Sequence, residues 1–257
     1  MTIDSTAIID SKASIDADVT IGPYSVVGPH VTIEAGSKIG PHVVINGPTH
    51  IGKNNTIFQF ASIGEVPQDK KFHGEESKLI IGDGNTIREF VTINRGTADG
   101  GGTTKIGNDN WLMAYIHVAH DCQVGNNTIF SNGASLAGHA IVDDHAILGG
   151  FTLVHQFCHI GTHAFCGMGS AISKDVPPYI MVNGNPAHPH GINSEGLKRN
   201  GFSKEAIKAI KEAYKTIYRL GFTVETAKAK LEEIAVSQSE VKPLIDFIDN
   251  SQRGIVR

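Results

Sequence analysis

An aliphatic residue recurs at every sixth position through most of this chain of 257 residues, and that period governs what the chain can fold into. It begins at Ile3 and runs through Ile9, Ile15, Ile21, Val27, Ile33, Ile39, Ile45, Ile51, Ile57 and Ile63. It resumes at Ile81, Ile87 and Ile93, and once more from Ile106 to Ile172. The three runs hold 11, 3 and 12 positions, 26 in all, and only Phe130 and Cys166 are not Ile, Leu or Val. A period of six fits neither a helix at 3.6 nor a half-buried strand at 2. It fits a parallel β-helix of hexapeptide repeats, in which each hexad forms one short flat side with its aliphatic residue inward. Three sides close a triangular coil of 18 residues, and 26 hexads make between eight and nine coils. Residues 18 apart then stack along the axis at about 4.8 Å, the strand spacing. Eleven of the 29 glycines directly follow a repeat position, as Gly22, Gly40 and Gly161 do. Small residues such as Ser25, Ala134 and Ala164 stand four after it. A thin coil of this kind leaves little room for rings, in keeping with an aromatic content of 7%.

Two breaks interrupt the period, near 64–80 and 94–105. They are expected to be loops leaving the solenoid, which repeat folds tolerate well. The first, with Gln68, Asp69, Lys71 and His73, is the better candidate for building a site. After Pro177-Pro178 the period ends. Ser203–Leu220 has an amphipathic helical pattern with Ser203 as N-cap, Thr223 is placed to cap a second helix to about Val236, and a third runs from about Ser239 to Asn250. The expected organisation is a mainly β protein: a β-helix over 1–185 and a small α-helical domain over 186–257.

Net charge is −4, which disfavours bulk nucleic-acid binding. The charge is divided: residues 1–190 carry 10 basic and 17 acidic groups, net −7, and residues 191–257 carry 12 basic and 9 acidic, net +3. No apolar run approaches the roughly 18 residues of a membrane helix, and no leader pattern precedes Ile3. Cys122, Cys158 and Cys166 form no C-x-x-C pair, and Cys122 and Cys158 lie two coils apart, too far for a disulfide. A reducing, cytoplasmic setting is expected.

Histidine is the informative residue type. Seven of 13 fall between 117 and 163. The 18-residue rule puts His120, Gly138 and Gln156 in one column, Asp121 and His139 in the next, and Ala137 and His155 in a third. His120, His139 and His155 therefore approach one edge of three successive coils. Such a cluster suits either of two chemistries. Several imidazoles can hold zinc, as in carbonic anhydrases built on the same solenoid. One neutral imidazole can instead serve as general base for acyl transfer to a hydroxyl, with a backbone N–H at a glycine corner receiving the oxyanion.

The chain closely resembles the bacterial UDP-N-acetylglucosamine O-acyltransferases, hexapeptide-repeat acyltransferases that open lipid A synthesis. The resemblance spans nearly the whole chain. It rests on His42-Val-Val-Ile-Asn-Gly47, Phe60-Ala-Ser-Ile-Gly-Glu65, Ile116-His-Val-Ala-His-Asp-Cys122, Leu136-Ala-Gly-His139, Val154-His-Gln-Phe-Cys158, Asp175-Val-Pro-Pro-Tyr179 and Glu195-Gly-Leu-Lys-Arg199. It implies a left-handed β-helix, a homotrimer with sites between subunits, and no metal or cofactor. The implied donor is a 3-hydroxyacyl chain on acyl carrier protein, and the acceptor is the sugar 3-hydroxyl of UDP-N-acetylglucosamine. His120 would be the base, Asp121 its orienting partner and Gly138 the oxyanion donor. His117, His139, His155 and Gln156 would line the sugar and thioester site. Gln68, Asp69 and Lys71 would bind the acceptor from the adjacent subunit, and Asn193, Glu195 and Arg199 would contact the nucleotide. The basic tail would suit the acidic carrier protein.

Four positions depart from the family pattern: Asn94, where many members have His; Pro186, where some have His; Asn200, where many have a second Arg; and Met168, where some have Gly. Gly150 and Met168 stack one coil apart, and a methionine there would close the end of an acyl groove, favouring a medium, decanoyl-like chain. The alternatives are a zinc hydratase, the related N-acyltransferase of the same pathway, which carries an extra N-terminal domain, and a non-enzymatic scaffold.

Overall fold

The computed structural model describes residues 2–257. Each of the 26 repeat positions lies in its own short strand, from Thr2–Ile3 to Ala171–Ile172. The strands stack into three parallel faces, with 11, 9 and 8 strands in their sheets. The first face starts at Thr2–Ile3, the second at Ile8–Ile9 and the third at Ser14–Ile15. Register confirms the coil: Ile3 stands opposite Ile21, and Val118 opposite Leu136. Across the first break the spacing widens, so that Ile63 faces Ile93; across the second, Ile93 faces Val118. The repeat residues from Ile21 onward are buried, whereas Ile3, Ile9 and Ile15 at the open end are only partly covered. Each fully buried Ile stabilises the fold by about 2 kcal/mol.

The glycines after repeat positions meet a close backbone approach. A Cβ on Gly22 would come within 2.8 Å of Pro41 N, and one on Gly52 within 2.8 Å of Gly82 C. Small residues four after the repeat point inward: Ser25, Ala134, Ala140 and Ala164 are wholly buried. Among them stands a polar column, in which the buried Asn55 Oδ1 accepts from Asn85 N, and Asn85 Oδ1 accepts from Asn110 N, both at 2.9 Å.

The rings have a place after all. They stand outside the prism, at the third residue after the repeat position, where the chain turns in the left-handed region. Tyr24, His42, Phe60, Phe90 and Tyr115 occupy that corner with φ of 55–65° and stack at 4.9–5.4 Å. Bulky side chains rarely adopt this conformation, and ring stacking from coil to coil helps to offset the strain.

The solenoid continues past the last repeat. Ile180–Asn183 joins the first face beside Phe165–Cys166, and His188–Ile192 folds back antiparallel to it, so this hairpin straddles residue 185. Four α-helices follow: α1 (Ser194–Arg199), α2 (Lys204–Tyr218), α3 (Val224–Ala235) and α4 (Lys242–Asn250). Ser203 and Thr223 accept from the N–H of Ala206 and Thr226, as their N-cap positions require. The expected third helix is a 3₁₀ turn at Ser239–Val241 followed by α4. Buried Asp175 returns the tail to the solenoid, accepting from Ser251 Oγ at 2.6 Å and His159 N at 2.9 Å. Among the described residues no helix is long and apolar enough to cross a membrane.

Candidate active site

Both sequence breaks leave the prism at one corner, the one after the second face, following Ser62–Glu65 and Thr92–Asn94. The next strand of that face is His117–Val118, and its corner carries His120 and Asp121. Asp121 adopts φ 61°, and His139, one coil on, adopts φ 62°. This turn points both side chains outward from adjacent coils.

His120 Nδ1 lies 2.8 Å from Asp121 Oδ2, with side-chain exposures of 15% and 1%. A carboxylate there accepts the Nδ1–H and leaves Nε2 as the basic nitrogen. Asp121 is held firmly. Its Oδ1 accepts the Thr97 N–H at 2.8 Å, its Oδ2 accepts the Thr97 hydroxyl at 2.6 Å, and its own N–H donates to Thr104 Oγ1 at 2.7 Å. Thr104 belongs to the strand Thr103–Ile106, and Thr97 comes from the second loop, which closes over the carboxylate: a Cβ on Gly100 would overlap Asp121 Oδ2 at 2.3 Å.

The column rule holds. Gly138 lies directly over His120, where an added Cβ would stand 2.7 Å from Nε2. Among the described residues no acceptor takes the Gly138 N–H. His139 meets His120 edge-on at 5.1 Å and stacks on Phe157 at 4.5 Å. His117 Nδ1 lies 2.7 Å from Thr92 Oγ1, and burial, assisted by the neighbouring His120, lowers its pKa, favouring the neutral ring. His155 and Gln156 are exposed on the next coil of the same corner, and His155 Nδ1 is 3.1 Å from Gln156 O.

The first loop lies against the second. Asp69 and Lys71 line a hollow of about 350 Å³ together with Thr97, Ala98 and Asp99. Gln68 and Lys71 are exposed, and Asp69 Oδ1 accepts the Lys71 N–H at 3.0 Å. Asn94 is buried at the loop base, its Nδ2 donating to Val66 O at 2.9 Å, so here it acts as a tether.

Other expected site residues are not brought to His120 within one chain. Asn193 caps α1 by accepting the Gly196 N–H at 3.1 Å and donates Nδ2 to His163 O at 3.0 Å. That places α1, with the exposed Glu195 and Arg199, beside the corner after the third face. Glu195 pairs with Lys198 at 2.7 Å. Asn200 is exposed and donates to Gly196 O at 2.8 Å, and Pro186 is exposed in the hairpin turn. Gly150 and Met168 do stack, the Met168 Cγ lying 3.9 Å from where a Gly150 Cβ would be. They stand on the corner after the first face, however, so they share no edge with His120 of their own chain.

His120, Asp121 and His139 are also the one group among the described residues able to share a metal ion, with ligand atoms within 4.8 Å of one another. The carboxylate is already taken up by Thr97 and His120, an arrangement suited to orienting a base. The reaction this geometry can serve is proton removal beside a backbone oxyanion donor.

The comparisons with known proteins show the family. Residues 175–256 match the model "Udp N-acetylglucosamine O-acyltransferase; Domain 2", and residues 103–138 match "Bacterial transferase hexapeptide (six repeats)". The acyl-(acyl-carrier-protein)–UDP-N-acetylglucosamine O-acyltransferase of Herminiimonas arsenicoxydans is 58% identical over 259 residues, covering 99% of each chain. That of Thiobacillus denitrificans is 57% identical over 256 residues, covering 100% of this chain and 99% of its own. The solved UDP-N-acetylglucosamine O-acyltransferase of Moraxella catarrhalis superposes with a TM-score of 0.98 at 48% identity, covering 100% of both chains. The chain belongs to the acyl-(acyl-carrier-protein)–UDP-N-acetylglucosamine O-acyltransferase family and is an O-acyltransferase.

Proposed function

We propose that this enzyme moves a 3-hydroxyacyl chain of medium length from acyl carrier protein to the 3-hydroxyl of UDP-N-acetylglucosamine, as a cytoplasmic homotrimer performing the first step of lipid A synthesis. The observation that carries this reading is the His120–Asp121 pair, with Nε2 facing the Gly138 residue whose N–H has no acceptor among the described residues. His120 Nε2 takes the proton of the sugar hydroxyl as its oxygen attacks the thioester carbonyl. Asp121 stabilises the imidazolium, and the Gly138 N–H receives the oxyanion. Collapse expels the carrier thiolate, which the imidazolium protonates. His117, His139, His155 and Gln156 line the sugar and thioester. Gln68, Asp69 and Lys71 hold the acceptor.

What one chain lacks supports the trimer. The nucleotide residues Asn193, Glu195 and Arg199 and the acyl-length pair Gly150 and Met168 stand on other corners than His120. A neighbouring copy has to bring them to the site. The acidic carrier protein is matched by Lys211, Lys215, Arg219 and His190, which ring a hollow of about 330 Å³ beside α2.

Met168 is 76% exposed and free to lie across an acyl groove. A transfer assay over donors of graded length is expected to peak at a medium chain. Met168→Gly is expected to move the optimum to longer chains by roughly 10-fold in relative kcat/KM, since each buried methylene is worth about 0.8 kcal/mol. An unchanged length profile would remove Met168 from this role.

The same His–Asp–His group gives the zinc hydratase a specific point of contact with the structure. Enzyme dialysed against a chelator is expected to keep full transfer activity. Activity lost on dialysis and regained with zinc would favour the metal reading.

A further inference from the structure

We infer that Thr97 is a positioning residue for the acyl-transfer base, acting through Asp121. This rests on His120 as the base. Thr97 lies 24 positions before Asp121 and shares no solenoid register with it. Only the second loop brings the two together. Its backbone N–H and its hydroxyl grip the two carboxylate oxygens separately, at 2.8 and 2.6 Å. The hydroxyl donates to Oδ2, the same oxygen that accepts from His120 Nδ1 at 2.8 Å. Thr97 thus sets both the rotation of the carboxylate and the share of its charge that reaches the imidazole. The loop is itself anchored: Arg95 donates to Gly47 O and Gly64 O at 3.0 and 2.9 Å, and Asn94 ties to Val66 O. The grip is therefore fixed to the solenoid rather than carried on a free loop.

The groups facing His120 are Asp121 on its own corner, His139 from the next coil and His117 from the preceding strand. Of these only Asp121 is anionic. Without the Thr97 hydroxyl, Oδ2 keeps only the His120 Nδ1–H of these two donors. The carboxylate also gains freedom to rotate, and the base loses alignment.

Thr97→Val keeps the size and the backbone N–H and removes the hydroxyl. Its kcat is expected to fall about tenfold with KM for the nucleotide sugar within about twofold, the split of a residue that aligns the base without binding substrate. Thr97→Ser, which keeps the hydroxyl, is expected to restore kcat. If Thr97→Val does not fold, Thr97→Ala carries the same expectation, because it too keeps the N–H. A variant lacking the hydroxyl with the parent's kcat overturns the assignment. His120→Ala, measured alongside, separates that result from a failure of the base itself: an active His120→Ala would refute the base, an inactive one beside a normal Thr97→Val would refute only Thr97.

Discussion

His120→Ala is expected to lower kcat by about 10³-fold while leaving the fold intact, because a positioned general base contributes on that order. The imidazole is outside the aliphatic core, with 15% of its side chain exposed, so its removal opens no cavity among the stacked isoleucines. Asp121, which is 1% exposed, keeps the Thr97 N–H and hydroxyl as donors and is not left as an unpaired buried charge. Loss of activity can therefore be ascribed to the missing base. The checks are steady-state transfer kinetics together with circular dichroism and thermal unfolding. A variant that transfers acyl groups at the parent's rate leaves Nε2 without a catalytic role. The pair to compare it with is Asp121 and Thr97, whose effects should be strongly non-additive with the loss of His120.

The solenoid was legible because its interior admits one aliphatic side chain per side, and that constraint repeats without relief. The same regularity made the candidate column legible: with 18 residues per coil, His120 had to meet Gly138, and it does. What the sequence does not mark lies outside the prism or out of phase with it. The left-handed corner three residues after each repeat takes Tyr, Phe, His, Asp and Asn alike, so no size or polarity pattern marks it. The stacked rings from Tyr24 to Tyr115 stand on that corner, and the shortage of internal space never applied to them. Thr97 reaches Asp121 across 24 positions, because the second loop lies out of phase with the coils and no 18-residue rule finds it. Helix α1, with six residues, is too short to show a period. Its Asn193 cap could have signalled it, since Asn is a favoured N-cap. The separation of Asn193 and Met168 from His120 belongs to the triangle itself. Three corners face three directions, so no spacing along one chain brings two of them together.

Gly138→Ala provides the second large effect, and it tests the base and the stacking geometry at once. The added methyl would stand 2.6 Å from His120 Cε1 and 2.7 Å from Nε2, closer than real side chains pack. The backbone of the two coils cannot separate to make room, because His139 N donates to His120 O at 3.0 Å and Ala119 N donates to Leu136 O at 3.1 Å. The movable part is the imidazole, and moving it breaks the 2.8 Å bond to an Asp121 that is itself pinned. The expected result is a fall in kcat of about 10²-fold, the cost of a base displaced by about 1 Å. The N–H of residue 138 is retained, so the loss reports on the base and not on the oxyanion donor. Combining Gly138→Ala with His120→Ala should then cost little beyond His120→Ala alone, because the methyl has no imidazole left to displace. Additive losses would mean that residue 138 acts independently of the base. Parent-like activity in Gly138→Ala would mean that His120 does its work from another position than the one it holds above Asp121.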